Sequence, residues 1–460
     1  MAPTDSKCDS ATSSPSGSMS SPAGTLVEAD SDLAYTNSEA DAPEELRYLN
    51  LNAALEDAKD EHEVITAPLL TRGAYIGAGM HTKRSQYGVL GSVISIRWYS
   101  GIREKMRSYV PEDPRLYINT NAPFSAIVCG VQGSGKSHTV SVLLESMLIS
   151  GFEPIGLSHK PLSGLVLHFG EGGSGSRPCE AAWVGQTHIE GIQPPTIRVY
   201  VSRSSLTTMR ATYAPLGDRV KVEPLLFSST ELDAEAVLSM MAVGSSDSTP
   251  LYMQRILSIL RELGEKFTYT AFLKKVDLAK KDLTDTQIGY LEQRMLLLKA
   301  FVDNKTDQSK TRFKAGQLTI IDLSDPFMDA SSALLVCQQR HVRSDQGPSV
   351  PHKATTAPGH EGGHQYASIA ILHRFSSPAW WEAIVRHVSA DFTDEEAFDH
   401  VTGEAVILAP AGLGRFPSPL KASEGYEHSQ LAAFGRRYLL ARTRRRVTAD
   451  GGASRMVVEV

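Results

Sequence analysis

The sequence predicts an α/β protein built on a doubly wound, mostly parallel sheet, with a helical insertion and a disordered N-terminal tail. Short apolar runs typical of buried parallel strands alternate with helical patterns over residues 116–450. One of these runs leads directly into a glycine-rich turn and a helix. A block with apolar residues at every third or fourth position interrupts the alternation at 231–315.

Two segments precede the expected core. Residues 1–45 are rich in Ser, Ala, Pro, Thr and Asp and have few large apolar side chains. Burial there cannot offset the entropy lost on ordering, so we expect a disordered tail. Residues 60–115 contain short segments bounded by turn residues, among them Gly88–Trp98, and these predict a small β-rich element.

The first half of the core is expected at 116–230. The run Ser125–Cys129 is short and apolar, as a buried strand requires, and residues 138–148 place Val, Leu and Met at helical spacing. Three further strands are predicted at 164–169, 196–201 and 222–227.

Between the first strand and the helix, residues 130–137 read Gly-Val-Gln-Gly-Ser-Gly-Lys-Ser. This octamer fits the P-loop pattern G-x-x-x-x-G-K-[ST], in which glycines let the backbone curl around an anion with its N–H groups inward. Lys136 would reach the phosphates, and the Ser137 hydroxyl would bind Mg²⁺. The alternative is a glycine-rich βα turn that binds no ligand. The predicted nucleotide-binding residues are Gly130, Val131, Gln132, Gly133, Ser134, Gly135, Lys136, Ser137 and His138.

The second half of the core is expected at 316–450. Leu318–Asp322 is an apolar strand that ends in a carboxylate, which is what a Walker B element needs for Mg²⁺. Asp322 is therefore a predicted metal residue, and the alternative is a buried strand with a turn aspartate. Strands at 367–374 and 403–409 and a helix at 378–388 complete the pattern.

Composition narrows the function classes. A formal net charge of −6 argues against a strongly basic nucleic-acid coat. The four cysteines are scattered without metal-ligand spacing, which favours reduced thiols and an intracellular address, cytoplasmic or nuclear. No apolar run approaches the length needed to span a membrane, so we expect no membrane partner.

Residues 335–367 are polar, rich in Pro and Gly, and without period, and they predict an interruption of the core. The stretch includes His360-Glu-Gly-Gly-His364, which matches the zinc-protease pattern H-E-x-x-H. That chemistry needs both histidines on one face of a helix, and two glycines between them disfavour a helix. We therefore do not expect a zinc protease.

The motifs together carry a family resemblance. The strings Asn121–His138, Thr319–Phe327, Ile371–Trp381 and Thr402–Pro410 are similar to uncharacterised fungal P-loop NTPase-like proteins, whose core resembles that of HerA/FtsK-type motor ATPases. The resemblance implies ATP and Mg²⁺ as cofactors, Lys136 as the catalytic lysine, a hexameric ring and DNA as a partner. It identifies the chain as a candidate ATP hydrolase.

The departures from that family define the alternatives. Motors of this type carry a strand ending in Asp-Glu, whose glutamate polarises the attacking water, whereas Asp322 is followed by Leu323. The chain could thus be a non-catalytic nucleotide-binding scaffold, a degenerate ATPase lacking the catalytic glutamate, or a defective product whose core does not close. The arginines of 436–446 are either nucleic-acid contacts or a charged end of the fold.

Overall fold

The computed structural model describes residues 64–100, 105–168, 176–234, 237–238, 251–303, 312–325, 368–374, 403–417 and 429–451. These ranges belong to one unit, Ala58–Val460. Four of the sequence predictions lie outside them, namely the tail 1–45, the stretch 335–367, its pattern His360–His364 and the helix 378–388.

Most of the described strands are short and buried. In chain order they are β1 (Leu69–Thr71), β2 (Tyr87–Ser100), β3 (Lys105–Tyr109), β4 (Arg115–Asn119), β5 (Ala126–Cys129), β6 (Gly156–Leu157), β7 (Gly164–His168), β8 (Thr196–Val201), β9 (Val220–Pro224), β10 (Gln317–Asp322), β11 (Ile369–Leu372), β12 (Glu404–Leu408), β13 (Leu413–Pro417), β14 (Ser429–Ala433) and β15 (Tyr438–Thr443).

The described α-helices either precede the helical insertion or lie within it. In chain order they are α1 (Arg72–Gly77), α2 (Lys136–Leu148), α3 (Leu206–Tyr213), α4 (Leu251–Leu263), α5 (Tyr269–Ala279) and α6 (Asp285–Ala300). Short 3₁₀ turns lie at Glu153–Ile155, Glu180–Gly185, Ala214–Leu216, Gly264–Lys266 and Lys280–Asp282.

The α/β class is confirmed, but the strands form two sheets. One is a mixed sheet in the order β14-β13-β1-β4-β2-β15-β12-β11-β5, with β3 and β6 paired to β2. The other is a parallel sheet in the order β7-β10-β8-β9. We expected one doubly wound, mostly parallel sheet, whereas β12 runs antiparallel to both of its neighbours. An apolar run buried on both faces reads the same in either direction, so the sequence pattern does not define strand polarity.

The N-terminal strands do not form a sheet of their own. Strand β1 pairs with β13, and β2 pairs with β15 through residues such as Ile96 and Leu439. The segment predicted as a separate β-rich element at 60–115 therefore shares the mixed sheet with strands that follow residue 403.

The strand before the glycine-rich turn and the strand that ends in Asp322 belong to different sheets. Strand β5 pairs in parallel with β11, from Ile369 opposite Ala126 to Leu372 opposite Cys129. Strand β10 lies between β7 and β8 in the parallel sheet. Within the described part of the chain, β5 ends one sheet and β7 ends the other.

Helix α2 lies in the largest hydrophobic cluster, which includes residues from both sheets. Every residue of the helix from Thr139 to Leu148 is buried. Such a helix has no polar face for solvent and must be covered by other elements on all sides. An added Cβ at Gly164, the first residue of β7, would lie 3.5 Å from side-chain carbons of Leu144 and Leu148.

The helical insertion forms its own core with the parallel sheet. Buried side chains of α4, α5 and α6, among them Ile256, Phe272 and Leu298, cluster with residues such as Leu167 and Tyr200. Helix α6 begins with a capping box, in which Thr284 and Gln287 bond each other's backbone N–H groups. The predicted insertion at 231–315 thus contains three described α-helices.

Candidate functional site

The glycine-rich turn joins β5 to α2 and has the backbone of an anion-binding loop. Gly130, Gly133 and Gly135 have φ values of 144°, 76° and 106°. Residues with a Cβ rarely adopt such values, so the glycines permit this path. Gly135 is the N-cap of α2, and its carbonyl accepts the Thr139 N–H at 3.0 Å.

The Val131 carbonyl accepts three hydrogen bonds from within the turn. It accepts hydrogen bonds from the Ser134 backbone N–H at 3.3 Å and from the Ser134 hydroxyl at 2.7 Å. The Lys136 ammonium donates to the same oxygen at 2.7 Å. The loop is therefore closed on itself, with the lysine lying across it.

Several backbone donors of the loop are left for a ligand. Within the described residues, the N–H groups of Gly133, Gly135 and Lys136 donate to no acceptor. A Cβ at Gly133 would meet nothing within 4 Å, so the space beside this residue is open. Unpaired N–H groups on a positive-φ turn, together with the positive end of a helix, form the usual backbone site for an anion.

Lys136 is half-buried, and burial lowers the pKa of its ammonium. Its only hydrogen bond among the described residues goes to a neutral carbonyl rather than to a carboxylate. An anion in the loop would give this cation a stronger partner, because the attraction between opposite charges would add to the hydrogen bond. Lys136 is thus placed to change partner when an anion binds.

Ser137 and His138 follow the lysine and have different environments. Ser137 is exposed, and its hydroxyl bonds to no described residue, which leaves it accessible to a metal ion. The His138 Nε2 atom bonds to the Arg444 carbonyl at 2.7 Å, and because a carbonyl only accepts, Nε2 carries the proton. The His138 side chain therefore faces the C-terminal segment 444–449, and only its backbone remains for a nucleotide.

Asp322 is buried at the end of β10 and is already hydrogen-bonded. The Tyr213 hydroxyl donates to its Oδ2 atom at 2.6 Å, and the Ser324 N–H donates to Oδ1 at 3.0 Å. Burial raises the pKa of Tyr213 well above its ordinary value, which keeps the phenol protonated as a donor. None of the hydrogen bonds of Asp322 involves residues 130–138, and no group of three metal-ligating side chains occurs among the described residues.

Most of the C-terminal arginines form contacts with other residues of the fold. Arg444 forms an ion pair with Glu145 of α2 at 2.6 Å, and Glu145 is fully buried. Arg442 pairs with Glu404, and Arg446 with Asp450. These contacts support the reading of 436–446 as a charged end of the fold rather than as a free basic surface.

Arg374 is the second residue after β11 and touches the loop through its backbone. Its carbonyl accepts the Val131 N–H at 2.9 Å. The residue is exposed, and its guanidinium forms no ion pair in the described part of the chain.

His373 is the loop neighbour that the sequence did not assign to the site. It is fully buried at the end of β11 and bonds to Thr139 of α2 at 2.9 Å and to the Glu404 carbonyl at 3.0 Å. The sequence feature that could have pointed to His373 is a polar residue at the end of a fully apolar strand. Its partners lie 234 and 31 positions away along the chain, so no local pattern could name them.

Comparison with known proteins adds no assignment. No protein-family model matches the chain, and no curated protein matches it either. The likeness to HerA/FtsK-type ATPases therefore stays a prediction from the sequence. In the described ranges, no helix has the length and apolar character needed to cross a membrane.

Proposed function

We propose that this chain binds a nucleoside triphosphate, with ATP as the expected ligand, together with Mg²⁺ at residues 130–137. The observation that carries the proposal is the set of unpaired N–H groups of Gly133, Gly135 and Lys136 at the start of α2. A turn that only linked strand to helix would have no need of three positive-φ glycines and a lysine held across it.

Each loop residue would have a defined part in holding the phosphates. The backbone N–H groups would donate to phosphate oxygens, and the Lys136 ammonium would leave the Val131 carbonyl for the terminal phosphates. The exposed Ser137 hydroxyl fits a Mg²⁺ ligand. When bound, Mg²⁺ would neutralise charge on the phosphates. Asp322 would contribute directly only if it gave up Tyr213 as its donor.

The arrangement supports binding better than turnover. Among the described residues, no carboxylate hydrogen-bonds to residues 130–137. Hydrolysis requires a group that activates water, and the sequence has Leu323 where motors of the resembled type carry a glutamate after the strand-ending aspartate. The motor acting on DNA thus rests on the resemblance alone, while a nucleotide-binding scaffold or a degenerate ATPase needs only the loop.

Calorimetric titration of the purified chain with Mg-ATP tests the proposal. Lys136→Ala removes a charge-assisted contact and should weaken binding roughly 10- to 150-fold, from about 1.5–3 kcal/mol. Lys221→Ala is the matched control, since Lys221 is exposed on β9 and should leave affinity unchanged. Equal affinity of the wild type and Lys136→Ala, or no binding by either, would exclude the loop as a nucleotide site.

Steady-state phosphate release separates the two ways of using the nucleotide. We expect binding with release no faster than that of Lys136→Ala, because Leu323 rather than a water-activating glutamate follows Asp322. Release well above that variant, and faster still with added DNA at a stated salt concentration, would instead favour the motor. Competition between ATP and GTP in the same titration identifies the base preference.

A further inference from the structure

We propose that His373 is a positioning residue for the phosphate loop, acting through Thr139 of α2. The inference rests on the proposed nucleotide binding at 130–137 and names a residue that governs it. His373 makes no contact that would let it touch a phosphate directly, since it is fully buried. Its effect would come from the shape that it imposes on the loop.

The backbone of His373 and Arg374 holds the start of the loop on both sides of Gly130. The His373 N–H donates to the Cys129 carbonyl at 2.9 Å, and the Val131 N–H donates to the Arg374 carbonyl at 2.9 Å. The parallel pairing of β5 and β11 thus continues one step into the loop. Gly130 is fixed between these two bonds.

The imidazole then joins three separate elements. Its Nδ1 atom lies 3.0 Å from the Glu404 carbonyl at the start of β12, and since a carbonyl only accepts, Nδ1 carries the proton. In the neutral ring Nε2 is an acceptor, and the Thr139 hydroxyl donates to it at 2.9 Å. Thr139 is fully buried in the first turn of α2, two residues after Ser137. The ring therefore fixes where the helix begins.

The His373 side chain occupies the space beside two loop glycines. A Cβ added at Gly130 would lie 2.7 Å from the His373 Cβ, and one added at Gly135 would lie 3.5 Å from its Cε1. The Gly403 Cα, next to Glu404, would lie 3.6 Å from a Cβ at Gly135. The loop therefore packs against the His373 side chain. Loss of the ring would let the loop N–H groups point in other directions.

A set of variants on the Thr139 bond tests this role. His373→Asn keeps a donor near the Glu404 carbonyl and loses the acceptor for Thr139, and Thr139→Val removes the hydroxyl. Each should weaken Mg-ATP binding roughly tenfold, a coupling within the range seen for contacting residues. Thr139→Ser keeps the hydroxyl and is the matched control, with an expected loss of less than about twofold. The double variant should bind as the single ones do, because both remove the same bond.

A second measurement follows the loop without nucleotide. Hydrogen exchange of the peptides that cover 130–140 should be faster in His373→Asn and Thr139→Val than in Thr139→Ser, while peptides of α4 and α5 should be unchanged. If His373→Asn fails to fold, the affinity and hydrogen exchange of Thr139→Val alone test the positioning role, since this variant deletes a single hydrogen bond. A ¹⁵N-histidine spectrum of the wild type should show a proton on Nδ1 of His373, as the bond to the Glu404 carbonyl requires.

The outcomes separate this inference from the proposed function. Unchanged affinity and exchange in both variants, with binding still weakened in Lys136→Ala, would overturn the positioning role and leave nucleotide binding intact. Additive losses in the double variant would also overturn it, because His373 would then not act through Thr139. Failure of the wild type to bind Mg-ATP would overturn both proposals together.

Discussion

Replacing Arg444 by methionine tests whether the C-terminal segment 444–449 holds the phosphate-loop helix. The fully buried Glu145 receives four hydrogen bonds from this segment. Arg444 Nη1 donates to its Oε2 atom at 2.6 Å, and Val447 N, Thr448 N and Thr448 Oγ1 donate to Oε1 at 2.9, 2.9 and 2.6 Å. Methionine keeps much of the aliphatic packing of the arginine and removes its charge.

The expected loss in the free energy of unfolding follows from the Glu145 charge that remains buried. Burial lowers the pKa of the Arg444 guanidinium, which nevertheless stays charged at neutral pH. Removing one partner of a buried ion pair leaves the other as an uncompensated charge and costs about 3–5 kcal/mol. With a urea slope of about 3 kcal/mol per molar, the unfolding midpoint of Arg444→Met should fall by roughly 1 M or more.

Two further variants make the measurement decisive. Arg445→Met is the matched control, because Arg445 is the exposed neighbour, and its midpoint should stay close to that of the wild type. Glu145→Gln added to Arg444→Met removes the stranded charge while an amide oxygen still accepts from Thr448. The double variant should therefore be more stable than Arg444→Met by roughly 1–3 kcal/mol. Equal midpoints for Arg444→Met and Arg445→Met would refute the reasoning.

Three other predictions concern the loop, the parallel sheet and the strand that precedes the loop. Gly130→Ala would place a Cβ 2.7 Å from a side-chain carbon and should abolish Mg-ATP binding in titrations, whereas Gly133→Ala meets open space and should retain weakened binding. Tyr213→Phe leaves an Asp322 oxygen without its donor and should lower the free energy of urea unfolding by about 1–3 kcal/mol; an unchanged value would mean that water replaces the phenol. Burial raises the pKa of Cys129 to about 11, so the folded thiol should resist iodoacetamide at pH 8, and mass spectrometry showing rapid alkylation would contradict that burial.

Local patterns in the sequence predicted the elements well. The strand β8 has the bounds that periodicity predicted, and β7, β10 and α2 differ by one or two residues. Strand β9 begins two residues earlier than expected. These elements depend on side chains a few positions apart, which a period of 2 or 3.6 makes visible.

Pairing between distant segments was not predictable in the same way. Glu145 and Arg444 are 299 positions apart, and Thr139 and His373 are 234 apart. Neither contact belongs to a repeating pattern, because each depends on which strands become neighbours. The same dependence explains why we expected one sheet and the structure has two. The neighbours and the polarity of a strand are set by its pairing partners and not by its composition.

The division between the two sheets determines how Mg²⁺ would be held. Ser137 follows β5 of the mixed sheet, while Asp322 ends β10 of the parallel sheet and is bonded to Tyr213. Magnesium binds proteins through one or two carboxylates together with substrate phosphates and keeps several waters. A site that offers one hydroxyl and an engaged carboxylate has little affinity for the free ion. Titration with MgCl₂ alone should thus show no binding at the loop, and Mg²⁺ should bind there only with the nucleotide phosphates; saturable binding of the free ion that Asp322→Asn abolishes would place the carboxylate in the metal site after all.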